Sequence, residues 1–130
     1  MDGKIAVLLV GHDPQVAQLL LLLLDAPNAP RRRFEPVCVK DVEAGLRSLA
    51  RGDRVDAVVL GLPRDGVRSL ERLRALRRQA PDVPIVALVE PGAEARGRVA
   101  VKLGAEGFQV RGRLNSDALR RSLSGEAVGV

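Results

Sequence analysis

The sequence predicts an α/β domain, a single (βα)5 unit doubly wound on a five-stranded parallel sheet. Three observations carry this. Short apolar or β-branched runs alternate five times with amphipathic stretches, the pattern of helices stacked on parallel strands. The first run, residues 4–10, is continuously apolar, as a strand covered on both faces requires. With 130 residues, 46% of them hydrophobic, the chain is long enough for one core, too short for two, and too apolar for disorder.

Residues 4–10 form the first continuous apolar run. Gly11, His12, Asp13 and Pro14 turn the chain into a helix over 15–25, with Pro14 suited to its N-terminus. Pro27 and Pro30 punctuate a basic loop before a second strand, 34–39. Asp41 caps a helix that runs to residue 50, with Val42, Leu46 and Leu49 on one face, and Gly52 stops it. A third strand is expected over 55–60 and a helix over 67–79, where Leu70, Leu73 and Leu76 recur at three-residue spacing. Pro84 introduces the fourth strand, 85–89, and Pro91-Gly92 leads to a helix over 94–103 that ends on Gly104 as a left-handed cap. The fifth strand covers 107–111, and Asn115 or Ser116 caps a last helix, 117–123. No linker, repeat or second domain is evident: residues 1–124 make the domain and 125–130 a frayed tail.

Composition excludes several functions. With two Phe and no Trp or Tyr, there are no aromatic platforms for stacking single-stranded nucleic acid. One Cys makes no internal disulfide, and one Cys with one His makes no zinc site, so a reducing, cytoplasmic setting is expected. The leucine run from Leu19 to Leu24 is too short to span a bilayer, and the start of the chain lacks the basic segment of a signal peptide. Twenty-one Lys and Arg against sixteen Asp and Glu give +5, and eighteen of the cations are Arg. Dispersed arginine of this kind reads first as solvated helix faces.

Chemistry in an open parallel sheet gathers at the carboxyl ends of the strands. The loops there hold Gly11, His12 and Asp13; Gly61, Arg64 and Asp65; Glu90; and Arg111 and Arg113. Only three of these are carboxylates, and they read as turn and cap residues rather than a converging magnesium site.

The order of residues resembles the receiver domain of bacterial two-component response regulators from about residue 4 to 123. "VLLVGHDPQVAQLLLLLL" is similar to the family's first strand, acidic loop and first helix; "DAVVLGLPRDGVRSLERLRAL" to its third strand, phosphoacceptor loop and third helix; and "VPIVALVEPG" to its fourth strand. "AVKLGAEGFQVRG" is the most specific segment, aligning without a gap to Ala-x-x-x-Gly-Ala-x-x-Tyr/Phe-x-x-Lys-Pro. The resemblance implies a flavodoxin-like, receiver topology. It also implies that the active residues are gone. The family's metal-binding acids fall on Gly11 and His12, and its phosphoacceptor on Gly61, or on Val59 if Pro63 anchors the alignment. Its signalling Ser/Thr falls on Val89, the small residue after it on Glu90, its lysine on Arg111 and the following proline on Gly112. Aspartyl phosphorylation needs the nucleophile, a divalent ion and a cation, and only the cation survives. The chain is therefore expected to be a degenerate, or pseudo, receiver and not an enzyme, with no cofactor and no metal.

Individual residues keep two readings. His12 has the chemistry of a metal ligand, phosphoryl donor or pH sensor, but with no second His or Cys beside it reads as a polar loop residue. Asp65 is a turn residue or a substitute phosphoacceptor. Arg111 binds an anion or pairs with Glu90 or Asp13. Cys38 reads as a small buried hydrophobe in its strand, and Phe108, the aromatic that moves on activation in working receivers, as a fixed packing residue.

The expected function is a protein-interaction module in bacterial signal transduction. By resemblance, its working face is made by the fourth helix, fifth strand and fifth helix, through Arg96, Val99, Lys102, Phe108, Arg111, Asp117, Arg120 and Arg121, binding a protein partner or a second copy. The alternative is a basic nucleic-acid or anion-binding domain that uses Arg31, Arg32 and Arg33 with the helix between Arg64 and Arg78. Nucleic acid is the weaker of the two readings, and no membrane is expected.

Overall fold

The computed structural model describes residues 3–24, 32–63 and 67–124. Arg31, Arg64, Asp65 and the tail 125–130 lie outside the described residues, as do the side chains of Arg32 and Arg33. Elements alternate as expected: β1 (Gly3–Val10), α1 (Pro14–Leu24), β2 (Arg32–Val39), α2 (Val42–Ala50), β3 (Ala57–Leu62), α3 (Val67–Gln79), β4 (Ile85–Val89), α4 (Glu94–Lys102), β5 (Gly107–Val110) and α5 (Ser116–Leu123). The strands form one parallel sheet in the order β2-β1-β3-β4-β5, the flavodoxin-like arrangement that reverses direction between β1 and β3.

Because strand side chains alternate, each central strand feeds two cores. Leu8, Val58, Leu60, Ile85 and Ala87 face α2, α3 and α4, where Leu73, Leu76 and Ala100 are fully buried. Val7, Leu9, Ala57, Val59 and Val86 face α1 and α5, meeting Leu20, Leu24, Leu119 and Leu123. Each Val, Leu and Ile among them contributes about 1.5–3 kcal/mol by leaving water. In α2 the buried line runs through Val42, Gly45 and Ser48, with Leu46 and Leu49 packed on its flank. Caps behave as their residue types dictate. The Asp41 carboxylate accepts from Ala44 N at 2.9 Å, the Asn115 side chain accepts from Ala118 N at 2.9 Å, and Gly104 ends α4 at φ +118°.

Two expectations need correction. The third strand starts and ends two residues later than its apolar run suggests. Val55 and Asp56 precede the ladder, with Asp56 held against Ala6 by its backbone N–H (2.7 Å to Ala6 O) and by its carboxylate (2.9 Å from Ala6 N). Pairing with Leu88 and Val89 then carries Gly61 and Leu62 into the strand, so Gly61 is a strand residue and not a loop residue. Cys38, in turn, is exposed. Its strand is an edge of the sheet, where the helices do not close over the last side chains, and Val37 beside it is 58% exposed.

Helix α1 has no charged residue, and Leu19, Leu21 and Leu22 lie on its solvent side. Among the described residues, no helix is long and apolar enough to cross a membrane.

Candidate functional site

The carboxyl ends of β1, β3, β4 and β5 converge on a cleft of about 100 Å³ lined by Gly11, His12, Asp13, Gly61, Glu90 and Arg111, among others. Sheet register places each of them. Leu62 pairs with Val89 and Val89 with Val110, so Glu90 and Arg111 leave adjacent strands side by side, with Arg111 N donating to Val89 O at 2.8 Å. Val89, buried at 1% exposure, forms part of the floor. Val59, the other position open to the phosphoacceptor alignment, is buried in the α1/α5 core and does not reach the cleft.

Gly11, at φ +74°, swings the chain out of β1 so that His12 folds back over β3. The imidazole Nε2 lies 2.8 Å from Val59 O. A carbonyl only accepts, so Nε2 carries the proton and Nδ1 is left as an acceptor. Burial holds the imidazole below its ordinary pKa of 6.5, outweighing the opposite pull of the Val59 carbonyl and Asp13. This side chain and its own turn fill the space beside Gly61. A Cβ on Gly61 would stand 2.9 Å from Gly11 O and 3.2 Å from His12 Nδ1. A side chain at position 61 therefore requires the Gly11 turn to shift and the imidazole to give by a few tenths of an ångström.

The charged residues of the cleft pair with one another, one guanidinium against two carboxylates. Arg111 Nη1 donates to both Glu90 carboxylate oxygens, at 3.2 and 3.4 Å, and Nη2 lies 3.7 Å from Asp13 Oδ2. Asp13 also caps α1, accepting from Val16 N at 2.9 Å. Of the two sequence readings of Arg111, the structure realises pairing, with both carboxylates. All three side chains keep about a third to half of their surface in water, so each pair is worth at most about 1 kcal/mol. The divalent ion that the receiver resemblance implies is poorly matched here, since the two carboxylates facing the cleft are both turned to a guanidinium. Among the described residues, no three His, Cys, Asp or Glu side chains group as a metal site.

The residues expected on the α4–β5–α5 face divide. Val99 is 41% exposed on α4 and Lys102 is also exposed there, as are Asp117 and Arg121 on α5. Arg96 reaches back to donate to Pro63 O at 2.7 Å. Arg120 faces the other way: its guanidinium donates to Leu23 O at the end of α1, at 3.3 Å from Nε and from Nη2. Arg111 belongs to the cleft. Phe108 is half-buried, its ring laid against Gly97 of α4, where a Cβ would stand only 2.3–2.7 Å from three ring carbons. Sequence reading passed over Gly97, although a lone glycine inside a helix is itself a sign of close approach.

The basic helix α3 also divides. Arg72 pairs with Glu43 at 3.5 Å, and Arg77 is spent on carbonyls, donating to Val83 O at 2.8 Å and Gly104 O at 2.7 Å. Arg68, Arg74 and Arg78 are exposed.

No protein-family model matches the sequence, and no curated protein does. Solved structures do match. A LuxR family DNA-binding response regulator from Silicibacter pomeroyi is 21% identical over 94% of this chain and 93% of its own, with a TM-score of 0.74. The N-terminal signal receiver domain of a two-component response regulator from Bacteroides fragilis is 20% identical over 95% of both chains, TM-score 0.74. The receiver domain of NtrX from Brucella abortus is 18% identical over 92% of this chain and 98% of its own, TM-score 0.72. The chain thus has the fold of response-regulator receiver domains over almost all of its length.

Proposed function

We propose that the chain is a receiver-like signalling module that does not take phosphate on aspartate and works through protein contact. The observation that carries this is at Gly61. Position 61, near the end of β3 beside the cleft, has no side chain, and a Cβ there would crowd Gly11 O at 2.9 Å and the His12 ring at 3.2 Å. With no nucleophile at position 61, acyl phosphate has no acceptor there, and Arg111, the cation that lines the cleft among the described residues, is already paired to Glu90 and Asp13. Val89 offers no hydroxyl to draw toward a phosphoryl group, so Phe108 has no pull away from Gly97.

Partner contact is then left to surface that does not depend on the cleft. Val99, Lys102, Asp117 and Arg121 offer an apolar residue among charges of both signs, suited to a protein partner or to a second copy with reciprocal pairs. Arg120 is not part of this surface, because it holds α5 to α1.

Two measurements test the reading. Beryllium fluoride with Mg²⁺, which mimics acyl phosphate, should leave the amide NMR spectrum unchanged. Shifts around Gly61 would show that the cleft still accepts a phosphoryl group. Paired substitution Val99→Asp and Lys102→Glu should weaken a complex captured from the source cells, and an unaffected complex would remove this face.

A further inference from the structure

The positive charge that is dispersed along the sequence is gathered by the fold onto one side of the sheet. Helix α1 carries no charged residue, and α5 sets Asp117 against Arg120 and Arg121. The helices of the other layer carry nine Lys and Arg, one on α2, five on α3 and three on α4, against Glu43, Glu71 and Glu94. This local excess is larger than the +5 of the whole chain, so the remainder of the molecule has no positive balance of its own.

Pairing separates the occupied cations of this layer from the open ones. Arg72 meets Glu43, Arg77 is held by Gly104 O and Glu106, and Arg96 donates to Pro63 O. Arg47, Arg68, Arg74, Arg78, Arg98 and Lys102 are exposed, with no ion pair or side-chain hydrogen bond among the described residues. Glu71 is the exposed acid set among them, since Glu94 is taken by Arg113. Arg74 and Arg78 stand four residues apart on α3, as do Arg98 and Lys102 on α4, and like charges at that spacing oppose the helix that carries them. A bound polyanion relieves that repulsion. Arg68, Arg74 and Arg78 follow one outer face of α3 over about 15 Å of axis, the rise of roughly four base pairs of a duplex.

The rest of the surface decides which polyanion. A protein interface is built around an apolar centre. Among the described residues neither α2 nor α3 exposes a large hydrophobic side chain, and those of this layer, Val99 and Val101, lie on α4. A single strand is held by aromatic platforms, whereas Phe34 and Phe108 are both packed against the cores. Open guanidinium groups without apolar or aromatic surface between them suit phosphates held at the outside of a double helix. We infer that the outer face of α3 binds the phosphate backbone of duplex nucleic acid without regard to sequence, with Arg68, Arg74 and Arg78 as its ligands. This goes beyond the proposed protein contact: it uses neither the Arg111 cleft nor Val99, Asp117 or Arg121.

The test is fluorescence anisotropy of a short labelled DNA duplex titrated with the full chain between about 50 and 200 mM salt. Saturable binding is expected at the low end, weakening with a slope of log K on log salt of about −3 or steeper, −0.9 for each phosphate neutralised. Arg74→Gln with Arg78→Gln should cut affinity at low salt roughly ten-fold or more and flatten the slope by about two. Both side chains are exposed and unpaired and glutamine is a sound helix former, so this variant should melt with the parent. Gln15→Glu with Gln18→Glu changes the net charge by the same amount on the exposed side of α1, across the sheet, and should leave the slope at the parent's value. A duplex of scrambled sequence should bind as tightly as the first. No binding at the lowest salt, an equal loss of slope in the two double variants, or polyglutamate binding as tightly as the duplex would each overturn the inference, the last by assigning the face to an acidic protein.

Discussion

Gly97→Ala adds one methyl group to the interior of α4, and its effect can be worked from two opposing terms. On an unencumbered helix the change is favourable by about 1 kcal/mol, because alanine gives up less backbone entropy than glycine. Here the new Cβ comes within 2.3–2.7 Å of three Phe108 ring carbons, so the ring must leave its seat on the helix. Overpacking costs about 1–3 kcal/mol, and eviction of a whole ring belongs in the upper half of that range. The net expectation is destabilisation by about 1–2 kcal/mol, which at an m-value of about 2 kcal/mol/M lowers the urea midpoint by roughly 0.5–1 M. Phe108→Ala supplies the decisive background. With the ring gone the clash is gone, and Gly97→Ala should become stabilising by about 1 kcal/mol. The double-mutant cycle should therefore close with a coupling of about 2–3 kcal/mol and a reversal of sign. A Gly97→Ala protein as stable as the parent, or one equally destabilised with and without Phe108, would refute the packing argument.

Two further predictions concern single residues. His12 is held neutral below its ordinary pKa of 6.5, so the unfolded chain takes up a proton at higher pH than the folded one. Stability should fall as pH drops from 7 toward 5, and urea midpoints of the parent minus those of His12→Asn should show that loss; a pH-independent difference would contradict it. Cys38, exposed on the edge strand, should react fully with a thiol reagent in native buffer at the rate of the unfolded chain, whereas protection until denaturant is added would mean the strand edge is covered.

Local signals carried the parts of the fold that depend on neighbours in sequence. Helix α3 and strand β4 fall on the expected residues because leucine spacing and Pro84 mark them without reference to anything distant. Strand β3 was displaced by two because Val55 is apolar like the strand itself, and only the pairing with Val7 and Leu88 decides where the ladder runs. Cys38 shows the same limit: its own strand looks like a core strand, and its exposure follows from being last in the sheet order. At the site, the framework resemblance was enough to bring Gly11, His12, Gly61, Val89 and Arg111 together. Sequence left Arg111 between binding an anion and pairing with Glu90 or Asp13; that it bridges both carboxylates needs the register of β4 against β5.

The crowding beside Gly61 also bears on what sequence change can do at this cleft. A side chain at position 61 brings its Cβ to 2.9 Å from Gly11 O and 3.2 Å from the His12 ring, so trimming position 12 alone relieves only the looser of the two contacts. A restored phosphoacceptor is thus coupled to the turn after β1: the new carboxylate is accommodated only with a shift of the Gly11 backbone, and the two positions change together or not at all.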